Sequence, residues 1–395
     1  MNRPLDGVRI VAVEQYAAGP YGTQLLCELG AQVIKIEAPS LGGDISRGLG
    51  PYFLGDGDSQ FFQTFSRGKQ SVALEIKTPE GRADFERLVA GADAVVNNLR
   101  GDQPDKLKIT FDSLKTIKPA IVCAHLSAYG RGNSREAWPG YDYLMQAEAG
   151  FLSVAGEPDA PPTRFGLSMV DFITGTMLAT ATLAGILDAR TTGQGRDLDI
   201  SLLDAALHQT SYPALWYLNA GHDIGRTARS AHPSVVPSQL LRTADGWVFV
   251  MAQLPKFWAR FADELGLGNL KDDPRFRSNP DRFANREALI ALIEAVTMTQ
   301  STAHWVAHLG GKVPVAAVND LGQALDSPWM AANGMVTSAE HSHGPLRVLA
   351  NPILVDGERL PTRAAPALGA DTAELLAEIG IGADEAASLK AAGTI

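Results

Sequence analysis

Apolar positions in the first 130 residues switch repeatedly between the two-residue period of strands and the longer period of helices. Val8 to Glu14 is a short β-rich run, Gly19 to Gly30 has helical spacing, and Ala31 to Glu37 is extended again, which makes a βαβ unit. The pattern repeats with Gln70 to Ile76 as strand, Pro79 to Ala90 as a helix opened by Pro and Glu, and Ala94 to Leu99 as strand. Phe111 to Lys118 gives a short helix and Ala120 to Ser127 a further strand. Near-continuous apolar strands alternating with helices predict an α/β fold, a parallel sheet covered on both faces. Ligands of such sheets sit at the carboxyl ends of the strands.

After Asp171 the spacing predicts a helix to about Arg190, ended by Thr-Thr-Gly-Gln-Gly, then a strand near Asp197 to Ser201 and a second long helix. Between 220 and 236, Gly, His, Arg and Pro crowd together as in a linker. Gln239 to Ala252 reads as a hairpin around Ala244-Asp245-Gly246, with helices near 255–266, 285–297 and 301–310. Strand-like pieces follow at 334–355, and then two Ala-rich helical stretches. A chain of 395 residues exceeds one typical core. The expected division is 1–220 as the first part of a large domain, 221–330 as a small α+β domain with its linkers, and 331–395 returning to the large domain.

Composition narrows the function. Thirty-four Lys and Arg against 44 Asp and Glu give a net charge of −10, the wrong sign for a nucleic-acid or anionic-membrane partner. An anionic ligand must find a local basic pocket. The opening Met-Asn-Arg-Pro-Leu-Asp-Gly lacks the apolar stretch of a secretory signal, and the strongly apolar run Met177 to Leu187 is about half of the roughly 20 residues that cross a bilayer. A cytoplasmic protein is expected. Cys27 and Cys123 form no CxxC pair, so no disulfide framework or thiolate metal site is expected.

Several chemistries lack their spacings: GxxxxGK[ST], GxGxxG after the first strand, HExxH and GxSxG are all missing. His304 with His308, and His341 with His343, have no carboxylates placed to complete a metal site. His125, at the end of a strand, reads as a structural histidine. Asp171 is the informative residue, an ionisable group heading an otherwise apolar helix. Two readings stand open. Asp is a favoured N-cap, and a carboxylate can also be a covalent nucleophile, with Thr174 and Gly175 small enough to leave room for a ligand.

Across nearly the whole chain, ordered segments resemble the class III CoA-transferases of CaiB/BaiF type, a family that includes formyl-CoA transferase and the related α-methylacyl-CoA racemase. They are Pro4-Leu-Asp-Gly-Val-Arg-Ile-Val, Ala18-Gly-Pro, Leu29-Gly-Ala-Gln-Val-Ile-Lys-Ile-Glu37, Gly43-Asp44 with Arg47, Lys69, and Leu74 with Lys77-Thr-Pro-Glu-Gly81. Asn98-Leu-Arg, Tyr141-Asp142, Asp171 with Thr174-Gly175, Thr192-Gly-Gln-Gly195 and His232-Pro-Ser-Val-Val-Pro-Ser-Gln239 continue the series. The resemblance implies a Rossmann-like large domain, a smaller domain, and a homodimer of interlocked ring-shaped chains. It implies Asp171 as nucleophile, and Tyr16, Leu74, Lys77, Asn98, Leu99 and Lys106 lining the site of coenzyme A, a co-substrate and not a permanently bound cofactor. Arg47 and Arg100 would add positive charge, with Lys77 first among the cations, and Tyr141 and Asp142 are expected in the same site. Tyr141-Asp142 stands where the racemase carries a His-Asp step, so proton shuttling lacks its imidazole and CoA transfer is favoured.

There are departures. Leu99, Arg100, Gly101 and Asp102 replace the usual aromatic-Arg-Pro-Gly, and Met251 to Trp258 has no counterpart of the glycine-rich loop of formyl-CoA transferase. Formyl-CoA and oxalate are therefore poor expected substrates. Arg164, Arg226 and Arg229 suggest a small dicarboxylic acid. The alternatives are a racemase-like isomerase and a non-catalytic acyl-CoA-binding protein.

Overall fold

The computed structural model of the chain describes residues 3–395 and divides it into two compact units. The first comprises residues up to Ala149, Gly166–Ser211 and Pro328–Ile395, and the second Gly150–Phe165 and Tyr212–Ser327. Relative to the expected division, residues 150–165 join the small unit, and the break after the large unit's sheet falls at Ser211 instead of 220. Pro213 explains the second difference. It cannot donate a helical hydrogen bond and crowds the carbonyl four residues before it. The expected single long helix is accordingly two, Leu202–Gln209 and Ser211–Ala220, with Ser211 at φ +53° between them.

The first unit is built on six parallel strands: β1 Arg9–Val13, β2 Gln32–Glu37, β3 Gln70–Ala73, β4 Ala94–Asn97, β5 Val122–Ser127 and β6 Arg196–Ser201. Their order is β3-β2-β1-β4-β5-β6, the doubly wound order in which the chain reverses direction between β1 and β4. Val11, Ile34, Val72, Val95 and Cys123 are fully buried at its centre. At the open edge, the β3 N–H groups of Ser71 and Ala73 donate to Asp371 Oδ2 (2.8 Å) and Thr372 Oγ1 (2.9 Å), so the C-terminal segment covers an edge that would otherwise pair with another chain.

Two helices matter for the site, α1 Ala18–Glu28 and α2 Met169–Thr192. They touch where each carries a glycine: a Cβ on Gly22 would sit 2.4 Å from the Gly175 carbonyl oxygen, and one on Gly175 2.5 Å from that of Ala18. Thr174 is fully buried with its hydroxyl on the Val170 carbonyl at 2.6 Å. Gly175 and Thr174 thus make room for α1 and not for a ligand, which corrects the expectation. At 24 residues, α2 is long and apolar enough by length and composition to cross a bilayer, a test that a buried core helix passes as well. Here it packs on α1 and β5, burying the polar residues Asp171, Thr174 and Thr182 on that side.

The second unit holds a three-stranded antiparallel sheet of Ser238–Arg242, Trp247–Met251 and Val315–Ala317, with helices Pro255–Glu264, Arg286–Thr297 and Thr302–Leu309. Its own core gathers Trp258, Phe261, Phe276, Ile290, Ile293 and Trp305.

Candidate active site

A cleft of about 590 Å³ opens at the carboxyl ends of β1, β4 and β5, the position that doubly wound sheets give to ligands. Gln15 and Tyr16 enter it after β1, Asn98 to Arg100 after β4, Ser127 and Ala128 after β5, and Asp171 from α2. A second cleft of about 190 Å³ adjoins it, sharing Gln15, Leu99 and Gln103, with Leu74 and Lys77 in its wall.

Asp171 is not the helix N-cap. Ser168 holds that position, and Asp171 is the third residue of α2. Its backbone N–H donates to Asp142 Oδ2 at 3.0 Å. Asp142 begins a helix that sequence reasoning missed, α3 Asp142–Glu148, and its other oxygen accepts from Gln146 Nε2 at 2.6 Å. The Asp171 side chain, by contrast, makes no hydrogen bond or ion pair among the described residues and is 5% exposed. Burial, and then the charge of Asp142, push its carboxyl up to about 7. An unpaired carboxylate of this basicity is available to attack an electrophile.

Tyr16 is half-buried at φ +72°, a conformation costly for any residue with a side chain. Its ring lies 5.2 Å from that of Phe61 and 5.9 Å from the exposed Tyr141. Burial and the Asp171 charge raise its phenol above the usual tyrosine range. Asn98 lines the cleft and clamps Gln15, accepting its N–H at 2.9 Å and donating to its carbonyl at 2.7 Å.

The cations divide sharply. Lys77 is exposed on the wall of the smaller cleft, without a hydrogen bond or ion pair among the described residues. Arg100 lines the larger cleft but shares Asp102 with Lys106, at 3.3 and 2.5 Å. Lys106 lines neither cleft. Arg47 departs most from expectation. It is 4% exposed, forked onto Glu37 at 2.8 and 2.6 Å, with Nη1 on the Pro366 carbonyl at 3.1 Å and the guanidinium 3.8 Å over the Phe62 ring, so it is committed to the interior and lines neither cleft.

His125 is 1% exposed between Asn97 (2.6 Å) and Asp197 (2.9 Å), a satisfied structural histidine. The arginines that suggested a dicarboxylate have local partners in the second unit. Arg226 holds the carbonyls of Glu157, Ala160 and Pro161, Arg229 pairs with Glu294 at 2.8 Å, and Arg164 donates to the Phe165 carbonyl at 3.0 Å. Gln15 and Trp138, which line the cleft, carried no local signal in the sequence.

The chain is similar to characterised proteins along nearly all its length. It is 30% identical over 384 residues to the succinate–glutarate CoA-transferase of Agrobacterium fabrum, covering 95% of this chain and 96% of that protein. It is 32% identical over 357 residues to the acetyl-CoA:oxalate CoA-transferase of Acetobacter aceti, covering 90% of each. A crystal structure of a CaiB/BaiF family protein from Brucella suis superposes with a TM-score of 0.83 at 32% identity, covering 96% of this chain and 100% of that one. The model of CoA-transferase family III matches residues 5–372. This chain belongs to CoA-transferase family III.

Proposed function

We propose that the protein transfers coenzyme A from an acyl-CoA to a free carboxylic acid through covalent intermediates on Asp171. The observation that carries this reading is the unpaired, raised carboxyl of Asp171 in the wall of the cleft at the sheet's carboxyl edge. The carboxylate attacks the thioester carbonyl, the C–S bond breaks, and a mixed anhydride and the CoA thiolate form. The thiolate attacks the Asp171 carbonyl, expelling the first acid and leaving an aspartyl-CoA thioester. The second acid's carboxylate attacks that thioester and releases the thiolate, which takes up the new acyl group and frees Asp171.

Every nucleophile in this sequence is already an anion, so no general base is required, in keeping with a cleft lined by no histidine. Gln15 and Tyr16 line the same cleft with side-chain donors that bond nothing else among the described residues, and serve the oxyanions formed at each attack. Lys77 meets a CoA phosphate at the mouth of the smaller cleft.

A small dicarboxylic acid remains the preferred acceptor. The support is now the two relatives named for glutarate and oxalate transfer, since the three arginines are taken up locally. Oxalate, set aside on the sequence, returns as a candidate. The racemase reading keeps no imidazole in the cleft. A homodimer is proposed from the resemblance, and light scattering at micromolar concentration tests it.

Labelled succinate, glutarate and oxalate mixed with a panel of acyl-CoAs test the activity. Label appearing in a new acyl-CoA supports transfer. Binding without exchange across the panel supports a non-catalytic acyl-CoA-binding protein instead.

A further inference from the structure

The charged residues of the Lys-Ile-Glu and Gly-Asp segments are among the most deeply buried in the molecule, and Glu37 and Asp44 among them, with Glu14, back the wall of the smaller cleft. Glu14, Lys35, Glu37, Asp44, Arg47 and Lys69, three of each sign, are all 5% exposed or less. Buried ion pairs add little net stability, because desolvation offsets their attraction. Specifying one local geometry is a separate use for such a cluster, and the hydrogen bonds here converge on one stretch of backbone.

Asp44 is the junction. Its Oδ1 accepts the Tyr16 N–H at 3.1 Å, the Ser46 N–H at 2.8 Å and the Ser46 hydroxyl at 2.7 Å. Its Oδ2 lies 2.7 Å from Lys35 Nζ, and its own N–H donates to Glu37 Oε2 at 2.9 Å. Lys35 also donates to the Glu14 carbonyl at 2.9 Å. Three successive residues are therefore gripped: Glu14 by Lys35, Gln15 by Asn98 and Tyr16 by Asp44. Tyr16 is the one held at positive φ, a strain that persists only where the surroundings over-determine it.

We infer that Asp44, fixed by Lys35 and Glu37, is a positioning residue for CoA transfer: it locks Tyr16 in the left-handed conformation that carries its ring into the Asp171 cleft. The inference rests on that cleft being the transfer site. A positioning residue acts through another group, so its effect disappears when that group is removed.

The test is a double-mutant cycle of Asp44→Asn and Tyr16→Ala, read as kcat/KM with labelled succinate and the most active acyl-CoA, and separately as Kd for CoA. Alanine keeps a Cβ at the strained position and removes only the ring. Asp44→Asn is expected to lower kcat/KM about 10- to 100-fold in the parent, the usual penalty for misplacing a group by about 1 Å. In the Tyr16→Ala background the loss should shrink to less than about threefold. Equal losses in both backgrounds overturn the inference, since a merely structural role would carry over unchanged. Should Asp44→Asn not fold, Ser46→Ala, which removes only the hydroxyl bond to the same oxygen, enters the cycle under the same criterion. The binding cycle separates this idea from the nucleophile. Coupling in Kd survives if Asp171 proves not to be acylated, whereas additive losses in an enzyme whose Asp171 adduct is trapped remove the positioning role alone.

Discussion

Asp142 Oδ2 accepts the backbone N–H of Asp171 at 3.0 Å, so one carboxylate fixes the position of another and also repels its charge. The two share a corner of the fold but differ in environment. Asp142 has the Gln146 amide and the Asp171 N–H as donors, whereas the Asp171 side chain has neither donor nor cation. Burial without a donor, with the Asp142 charge beside it, makes the Asp171 carboxyl keep its proton to higher pH.

A pH profile follows from this pair. The attacking form is the ionised carboxylate, so kcat/KM should fall tenfold per pH unit below about 7 and level off above it. Asp142→Asn retains an acceptor for the Asp171 N–H while removing the charge. Its acid limb should move to lower pH, though not to the ordinary carboxyl value, because burial is the larger cause. An unmoved limb would show that Asp142 does not set the titration.

Stability should respond in the opposite sense to activity. A carboxyl raised from 3.8 to about 7 on folding binds its proton more tightly when folded, so its contribution is complete below 3.8 and is lost as pH rises from there to about 7. Asp171→Asn does not titrate, and it should be more stable than the parent above pH 7, by at most about 4 kcal/mol, with the difference shrinking toward pH 5. Denaturant unfolding of both proteins at pH 6 and 8.5 measures this. A less stable Asn variant at pH 8.5 would mean that Asp171 is a structural group.

How far the sequence reached is clearest from particular residues. The six strands and the Pro79–Ala90 helix were legible because buried parallel strands and a proline-opened helix leave strong local patterns. Gly22 and Gly175 were visible as residues, but their use, letting two helices touch, exists only across 153 positions of chain. Arg47 misled for a related reason. A buried arginine and an exposed one look alike in sequence, and only the fold brings Glu37 and Phe62 to it. Lys77, which the resemblance implied and which follows a strand at the ligand edge, does lie in the wall of the smaller cleft. The missed helix α3 has only seven residues, too few for periodicity to declare itself.

These contrasts separate two cations by experiment. Lys77→Ala should weaken CoA binding by about 1–3 kcal/mol, the range for a lost charged hydrogen bond, and leave the thermal midpoint near the parent's. Arg47→Met should do the reverse, costing about 3–5 kcal/mol of stability, because it strands the Glu37 carboxylate in the interior. Calorimetric titration with CoA and thermal unfolding of both variants check the pair. Normal CoA binding in Lys77→Ala would remove that lysine from the site.

The covalent role of Asp171 is tested most directly by trapping. Incubated with an acyl-CoA and then hydroxylamine, the wild-type protein should carry a hydroxamate at Asp171, found by mass spectrometry of the peptide that contains it, because hydroxylamine attacks an aspartyl anhydride or thioester and not a free carboxylate. The adduct should require the acyl-CoA and be absent from Asp171→Asn, whose CoA exchange should be lower by several orders of magnitude while CoA still binds. An Asn variant that exchanges CoA at near the wild-type rate, with no adduct on the wild-type residue, would contradict the account.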